Sequence, residues 1–424
     1  MTILERTKAP AIRSIDNIDL KQGQKKTFTN GLELYTINAG SEEVVKIEWF
    51  FLAGSWLEEK PLVAVATNHL LVAGTKKYSA QTLAQKIDFY GATLRTYCTD
   101  DTARITLYCL NKYLDQLLPL VQEILTEANF PENEISIFAQ NRVNRLKVNN
   151  TKNEYVARNT LDQALFGPNH PYGYYPKSED YLAVNQSDIK TFYNTFYQMN
   201  NCKIIASGKI PSHFENLIET LFGKQPCTYQ SKAVKHPLEL SNEKNIFNKL
   251  PNAVQAGIAI GKPMINKTHQ DYAGVLIANT ILGGYFGSRL MSKIREDKGY
   301  TYGIYSTIIP YRNACFTYLA TEVAKDVHVP ALKEIKSEIN RLSNSRVEDS
   351  ELDLVRNYLL GNFLSSIDGP FALADRLKSI WYHDLDYSYF DNYIETIKNI
   401  SADNLLELYQ KYFNYEEYTR VVIA

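Results

Sequence analysis

No apolar run in this 424-residue sequence approaches the length of a membrane-spanning helix, which argues against a bilayer span. Its five cysteines, Cys98, Cys109, Cys202, Cys227 and Cys315, are odd in number, widely spaced and free of any C-x-x-C pair. That pattern predicts buried or free thiols and suits a reducing compartment. Net charge is also missing: the formal value is −1, and the Lys and Arg residues form no block. Nothing here favours nucleic acid or an anionic membrane as partner. The first residues show no apolar core and no cleavage signature, so a cytoplasmic location is expected, a periplasmic one remaining open for a chain trimmed of its signal.

What is present suits a globular protein of two or more domains, with 45% apolar and 22% charged residues. The residues also predict one order of elements twice. In the first half, strands are expected at Leu32–Ile37 and Val44–Phe51, then a helix from about Leu62 to Ala73 ending at Gly74. Ser79 caps a second helix running to Gly91, and a hairpin follows with its turn at Asp100-Asp101. An amphipathic helix then carries Leu114, Leu117, Leu118, Val121, Ile124 and Leu125 on one face.

The second half repeats the order. A strand is expected at Val254–Ile260, a buried helix at Tyr272–Leu282, and a helix capped by Ser288 that stops at Gly299. A strand pair follows at Tyr302–Ile309 and Ala314–Thr321, then an amphipathic helix with Val329, Leu332, Ile335, Ile339 and Leu342 inward. Each half closes with a helix leading into a strand, 188–197 into 203–207 and 404–413 into 420–424. Internal duplication explains this, and two unrelated α+β domains are the alternative. The expected organisation is an N-terminal α+β half over 1–225, a polar, proline-broken linker over 226–245, and a C-terminal α+β half over 246–424.

One histidine on an apolar helix, His69, is by itself most simply a packed, hydrogen-bonded group. Its setting raises a different question. The run Val65-Ala66-Thr67-Asn68-His69, with Gly74-Thr75 and Gly91-Ala92-Thr93-Leu94 after it, resembles the inverted zinc motif His-x-x-Glu-His of the insulinase, pitrilysin and mitochondrial-processing-peptidase family. The similarity covers essentially the whole chain and implies a duplicated fold, each half a mainly antiparallel sheet packed with helices. In the family, two histidines at i and i+4 and a later carboxylate bind zinc, and a glutamate between the histidines is the general base. The resemblance places Val65 at the first ligand, Asn68 at the base, His69 at the second ligand and Arg145 at the third. Valine binds no metal, asparagine takes up no proton, and arginine repels a cation. No catalytic residue, metal or other cofactor is therefore expected in this chain, zinc being expected only in a partner.

In the second half, Gly287 to Tyr302 resembles the family's Arg-Glu-x-x-Gly-(Leu/Tyr)-x-Tyr signature. The resemblance implies that Arg295 and Tyr302 bind substrate over the metal of a zinc-bearing homologous subunit, the substrate being a peptide or unfolded polypeptide. A helix-end arginine and a packed sheet tyrosine are the plainer alternative. At the level of function, the alternatives are a structural or peptide-binding homodimer with no peptidase role, and an active metallopeptidase with unfamiliar ligands.

Overall fold

Alternating apolar residues build the same sheet twice in the computed structural model, which describes residues 15, 18, 20–231 and 233–424. The first sheet comprises β1 (Gln24–Thr27), β2 (Glu33–Asn38), β3 (Val44–Phe51), β4 (Thr93–Cys98), β5 (Ala103–Leu110) and β6 (Cys202–Gly208). The second comprises β7 (Asn245–Asn248), β8 (Gln255–Pro263), β9 (Ile304–Pro310), β10 (Cys315–Ala324) and β11 (Thr419–Ile423). Their orders are β1-β2-β6-β3-β5-β4 and β7-β11-β8-β10-β9. In each, the closing strand runs parallel to the opening one, as β6 does to β2 and β11 to β7. Every other pairing is antiparallel. Without β1, the two orders superpose strand for strand, which is the signature of duplication.

Each sheet has two covered faces, so its central strands are buried along nearly their whole length. On β3, Val45, Ile47, Trp49 and Phe51 meet helices of the first half, among them Val63–Leu70 and Leu114–Glu127. All six predicted apolar residues of Leu114–Glu127 are buried. On β8, Ala256, Ile258 and Ile260 meet helices of the second half, including Tyr272–Asn279 and His328–Asn344. Two expectations need correction here. Val329 is 62% exposed, at the first turn of its helix and off the buried face. Ser288 precedes its helix as expected, but its buried hydroxyl caps nothing and has no hydrogen-bond partner among the described residues.

The other face of each sheet is covered by the opposite half. The helix Asn153–Phe166 of the first half places Ala157, Leu161 and Leu165 against Ala259, Phe316 and Val421 of the second sheet. The helix Pro370–Trp381 of the second half places Leu373, Leu377 and Ile380 against Ile37, Phe50 and Ile205 of the first. Asp101, in the β4–β5 turn, adds a polar tie: it accepts from the Tyr172 hydroxyl at 2.6 Å, from the Arg312 amide at 3.3 Å and from the Tyr382 hydroxyl. The segment joining the sheets lies along the first half, with backbone amides of Glu239 and Ser241 bonded to the carbonyls of Phe166 and Ala164. Among the described residues, no helix is long and apolar enough to cross a membrane, and all five cysteines are free thiols.

Candidate functional site

The helix Val63–Leu70 begins after Leu62, whose φ is +68°. Glu58 fixes this start by accepting from the backbone amides of Leu62 at 2.9 Å and Ala64 at 2.8 Å, a carboxylate at the positive end of a helix. Burial nevertheless pushes the Glu58 carboxyl up to about 7.

Val65 and His69 sit one turn apart on this helix, so they share a face. Val65 is half-buried and packs on the first-half core. Asn68 is 1% exposed, and its amide nitrogen donates to the Arg104 carbonyl at 3.4 Å, so it ties the helix to β5. His69 reaches solvent along one edge, while its ring is backed by Phe138 at 5.1 Å between centroids. Desolvation on that side, and then the nearby Arg142 charge, hold its pKa below the ordinary histidine value.

Phe138 belongs to the facing helix Glu132–Asn149. Arg142 follows it by four residues and Arg145 by seven, which keeps all three on one side. The Arg142 guanidinium lies over the Phe138 ring at 5.2 Å. Arg145, expected at the third-ligand position, lines the same cavity as His69, a space of about 350 Å³ between the two helices. Arg142 lines it too and is the guanidinium that acts on His69; the sequence reading missed it, although its i+4 spacing from Phe138 was there to be used. Glu134, half-buried in the first turn, is the one carboxylate in that lining.

These residues do not fit zinc. A His₂Glu site needs three donors around one point, and this one offers one imidazole and one carboxylate, Glu134, beside two cations. Among the described residues, no three His, Cys, Asp or Glu side chains gather closely enough to hold a metal ion.

The second-half residues come together differently. Arg295 lies in the last turn of the helix Met291–Asp297, and its Nε donates to the Tyr302 carbonyl at 3.0 Å. Its guanidinium stacks over Phe286 at 4.7 Å from the ring centroid. Tyr302 was expected to open the strand; it instead sits in a bend, with β9 starting two residues later at Ile304, and it is 95% exposed. The bend is pinned by the Thr301 hydroxyl, which donates to the Glu322 carbonyl at 2.7 Å. Arg295 thus fixes the backbone that presents the Tyr302 phenol to solvent. Phe286, 64% exposed, completes this group and was not singled out from the sequence.

His170 is structural. Its Nδ1 accepts from the Tyr172 amide at 3.1 Å, its ring stacks on Phe166, and burial lowers its pKa to about 4.

Known families match two stretches of the chain, the second beginning ahead of β6, the closing strand of the first sheet. Residues 34–171 match the family described as Insulinase (Peptidase family M16), and residues 183–359 match Peptidase M16 inactive domain. A Helicobacter pylori protein named non-peptidase homolog YmxG is 26% identical over 322 residues, 74% of this chain and 73% of its own. Zinc protease PqqE of the same organism is 20% identical over 423 residues, 95% of this chain and 93% of its own. A crystal structure titled as a peptidase M16 inactive domain, from Pseudomonas fluorescens, superposes with a TM-score of 0.85 at 21% identity, covering 95% of this chain and 98% of that one.

Proposed function

This chain belongs to peptidase family M16, and from that premise we propose that it is a pseudo-peptidase, the non-catalytic subunit of a heterodimeric zinc peptidase. Its zinc-bearing homologous partner hydrolyses peptides or unfolded polypeptides. This chain supplies chamber wall together with the exposed Arg295–Tyr302 bend. One observation carries the reading: Val65, Asn68 and Arg145 stand where the resemblance expects ligand, base and ligand, with Arg142 beside His69, while the second-half bend keeps its arginine and tyrosine pinned and accessible. A relative named as a non-peptidase and another named as a zinc protease occur in one organism, so both kinds of chain can coexist.

The chemistry is modest. A guanidinium held by a backbone carbonyl and a ring has little freedom left to lose, and a phenol in solvent can donate to a peptide carbonyl or a developing oxyanion. Neither group breaks a bond. They raise the partner's rate only by positioning substrate over its metal.

Co-expression with a zinc-bearing homologue, followed by cleavage of unfolded casein, tests this. The pair is expected to cleave casein and this chain alone to leave it intact. Arg295→Ala with Tyr302→Ala should lower the pair's kcat/KM by about tenfold or more while the complex still forms. Undiminished activity in that double variant removes the role of the two residues. A homodimer that ignores the zinc-bearing chain removes the heterodimer.

A further inference from the structure

The cavity beside His69 rejects a cation but is well suited to an anion. Arg142 and Arg145 both line it, and neither forms an ion pair among the described residues. Glu134, hydrogen-bonded by Asn133 at 3.3 Å, offsets one of the two charges at most. Apart from His69 and the Asn141 amide, the remaining walls are apolar, drawn from Leu70, Val72, Ala73, Ala80, Ile137 and Phe138. Ile137 is 52% exposed on the rim. Phe138 already holds the Arg142 guanidinium in place, so less side-chain freedom is lost when an anion binds.

We propose that this cavity binds the free C-terminal carboxylate of a peptide whose last residue is apolar. Three features select that ligand. A single guanidinium matches a planar carboxylate through two parallel hydrogen bonds, and the cavity offers two guanidiniums. The apolar wall begins beside the guanidiniums, and a C-terminal residue carries its carboxylate and its side chain on the same carbon; an aspartate or glutamate side chain has no apolar group so placed. The volume of about 350 Å³ lies at the small end of the roughly 300–1,000 Å³ range of ligand pockets, enough for a terminal residue but not for a folded partner. The site that lost its metal thereby holds a peptide end. This needs no zinc-bearing partner, so it stands or falls separately from the heterodimer.

The test uses the full chain and a hexapeptide labelled with fluorescein at its N-terminus, read by fluorescence anisotropy. A peptide ending in leucine carboxylate should bind at least tenfold more tightly than the same peptide ending in leucine amide. Raising the salt should weaken it, because charges open to solvent are screened beyond about 8 Å at physiological ionic strength. Arg142→Gln with Arg145→Gln should abolish the preference for carboxylate over amide. Both side chains reach solvent, so the fold should survive, as a thermal melt will verify. Ile137→Ser should weaken the leucine-ended peptide more than a glycine-ended one. N-acetyl-leucine should compete with the probe and inorganic phosphate should not. Equal binding of carboxylate and amide, or a preference that survives the double arginine substitution, overturns the proposal. Equal competition by phosphate reduces the site to a general anion pocket and overturns it as well.

Discussion

The two sheets share a topology yet hold the helix borrowed from the opposite half by opposite means. On the first sheet, β3 turns Lys46 and Glu48 toward the helix Pro370–Trp381. Glu48, 1% exposed, accepts two bonds of 2.9 Å from Lys378 and lies 3.0 Å from Lys46 and 3.5 Å from Arg104. On the second sheet, the equivalent strand β8 carries Gly257 and Gly261 beneath the helix Asn153–Phe166. A Cβ at Gly261 would lie 2.5 Å from the Thr317 carbonyl and 3.1 Å from Leu161. The helix therefore settles directly on the sheet, with Arg158 stacked over Tyr318 at 4.3 Å. The strand order is shared and both cross-half contacts have an apolar core, to which the first adds a buried charge cluster and the second a close helix-to-sheet approach. The functional residues diverged in the same way. His69 stands on a first-half helix, whereas the second-half counterpart Tyr272–Asn279 has no histidine.

The strongest way to break the comparison is Glu48→Ala. It removes the buried anion shared by Lys46 and Lys378, leaving them only the half-exposed Asp375 as partner, and should cost about 3 kcal/mol, the low end for a broken buried pair, in urea unfolding. Gly261→Val attacks the other interface by overpacking and should cost about 1–3 kcal/mol in the same assay. If the two costs came out reversed, the charge-against-contact distinction would be wrong.

A smaller, pH-dependent effect arises where the β4–β5 turn meets the second half. Burial raises Glu58 to about 7, and Asp100 and Asp162 each to about 6. For Glu58 the folded value lies above the unfolded value of about 4.3, so the folded chain retains its proton longer. Its contribution is complete below about pH 4 and disappears as pH rises toward 7. His170 and His383, both lowered to about 4 by burial, act in the opposite direction, losing stability as pH falls from about 6.5 toward 4. The informative quantity is therefore the difference between the wild type and Glu58→Gln. The wild type's advantage in melting temperature should shrink steadily from pH 4.5 to 7.5, and a constant difference would contradict the assignment. The smallest effect is expected at Tyr302→Ala. With the ring 95% exposed, its loss should move stability by less than about 0.5 kcal/mol, however much it matters to a partner's activity.

Much of this fold can be read from the sequence because its periodicities are local. β3 occupies Val44–Phe51 as expected, and the Ser79 hydroxyl accepts from the Thr82 amide at 3.3 Å as a helix cap. Cross-half cover was not legible. The apolar stripe of Asn153–Phe166 says that one face is buried but not against which sheet, since that is fixed by contacts distant in sequence. At the site, the losses at Val65 and Asn68 could be read directly from residue type. Arg142 was overlooked because alignment pointed to Arg145, while stacking on Phe138 is what brings Arg142 to His69. Arg295 and Tyr302 could be paired from the sequence pattern, but the hydrogen bond between them runs through the Tyr302 carbonyl, which residue type does not reveal.

Metal content of the isolated chain tests the central claim most directly. Purified protein would be incubated with a tenfold excess of zinc, dialysed exhaustively and measured by plasma mass spectrometry beside a His69→Ala control. Retention far below one zinc per chain, equal in both samples, is the predicted result. One zinc per chain that vanishes with His69→Ala would contradict the account.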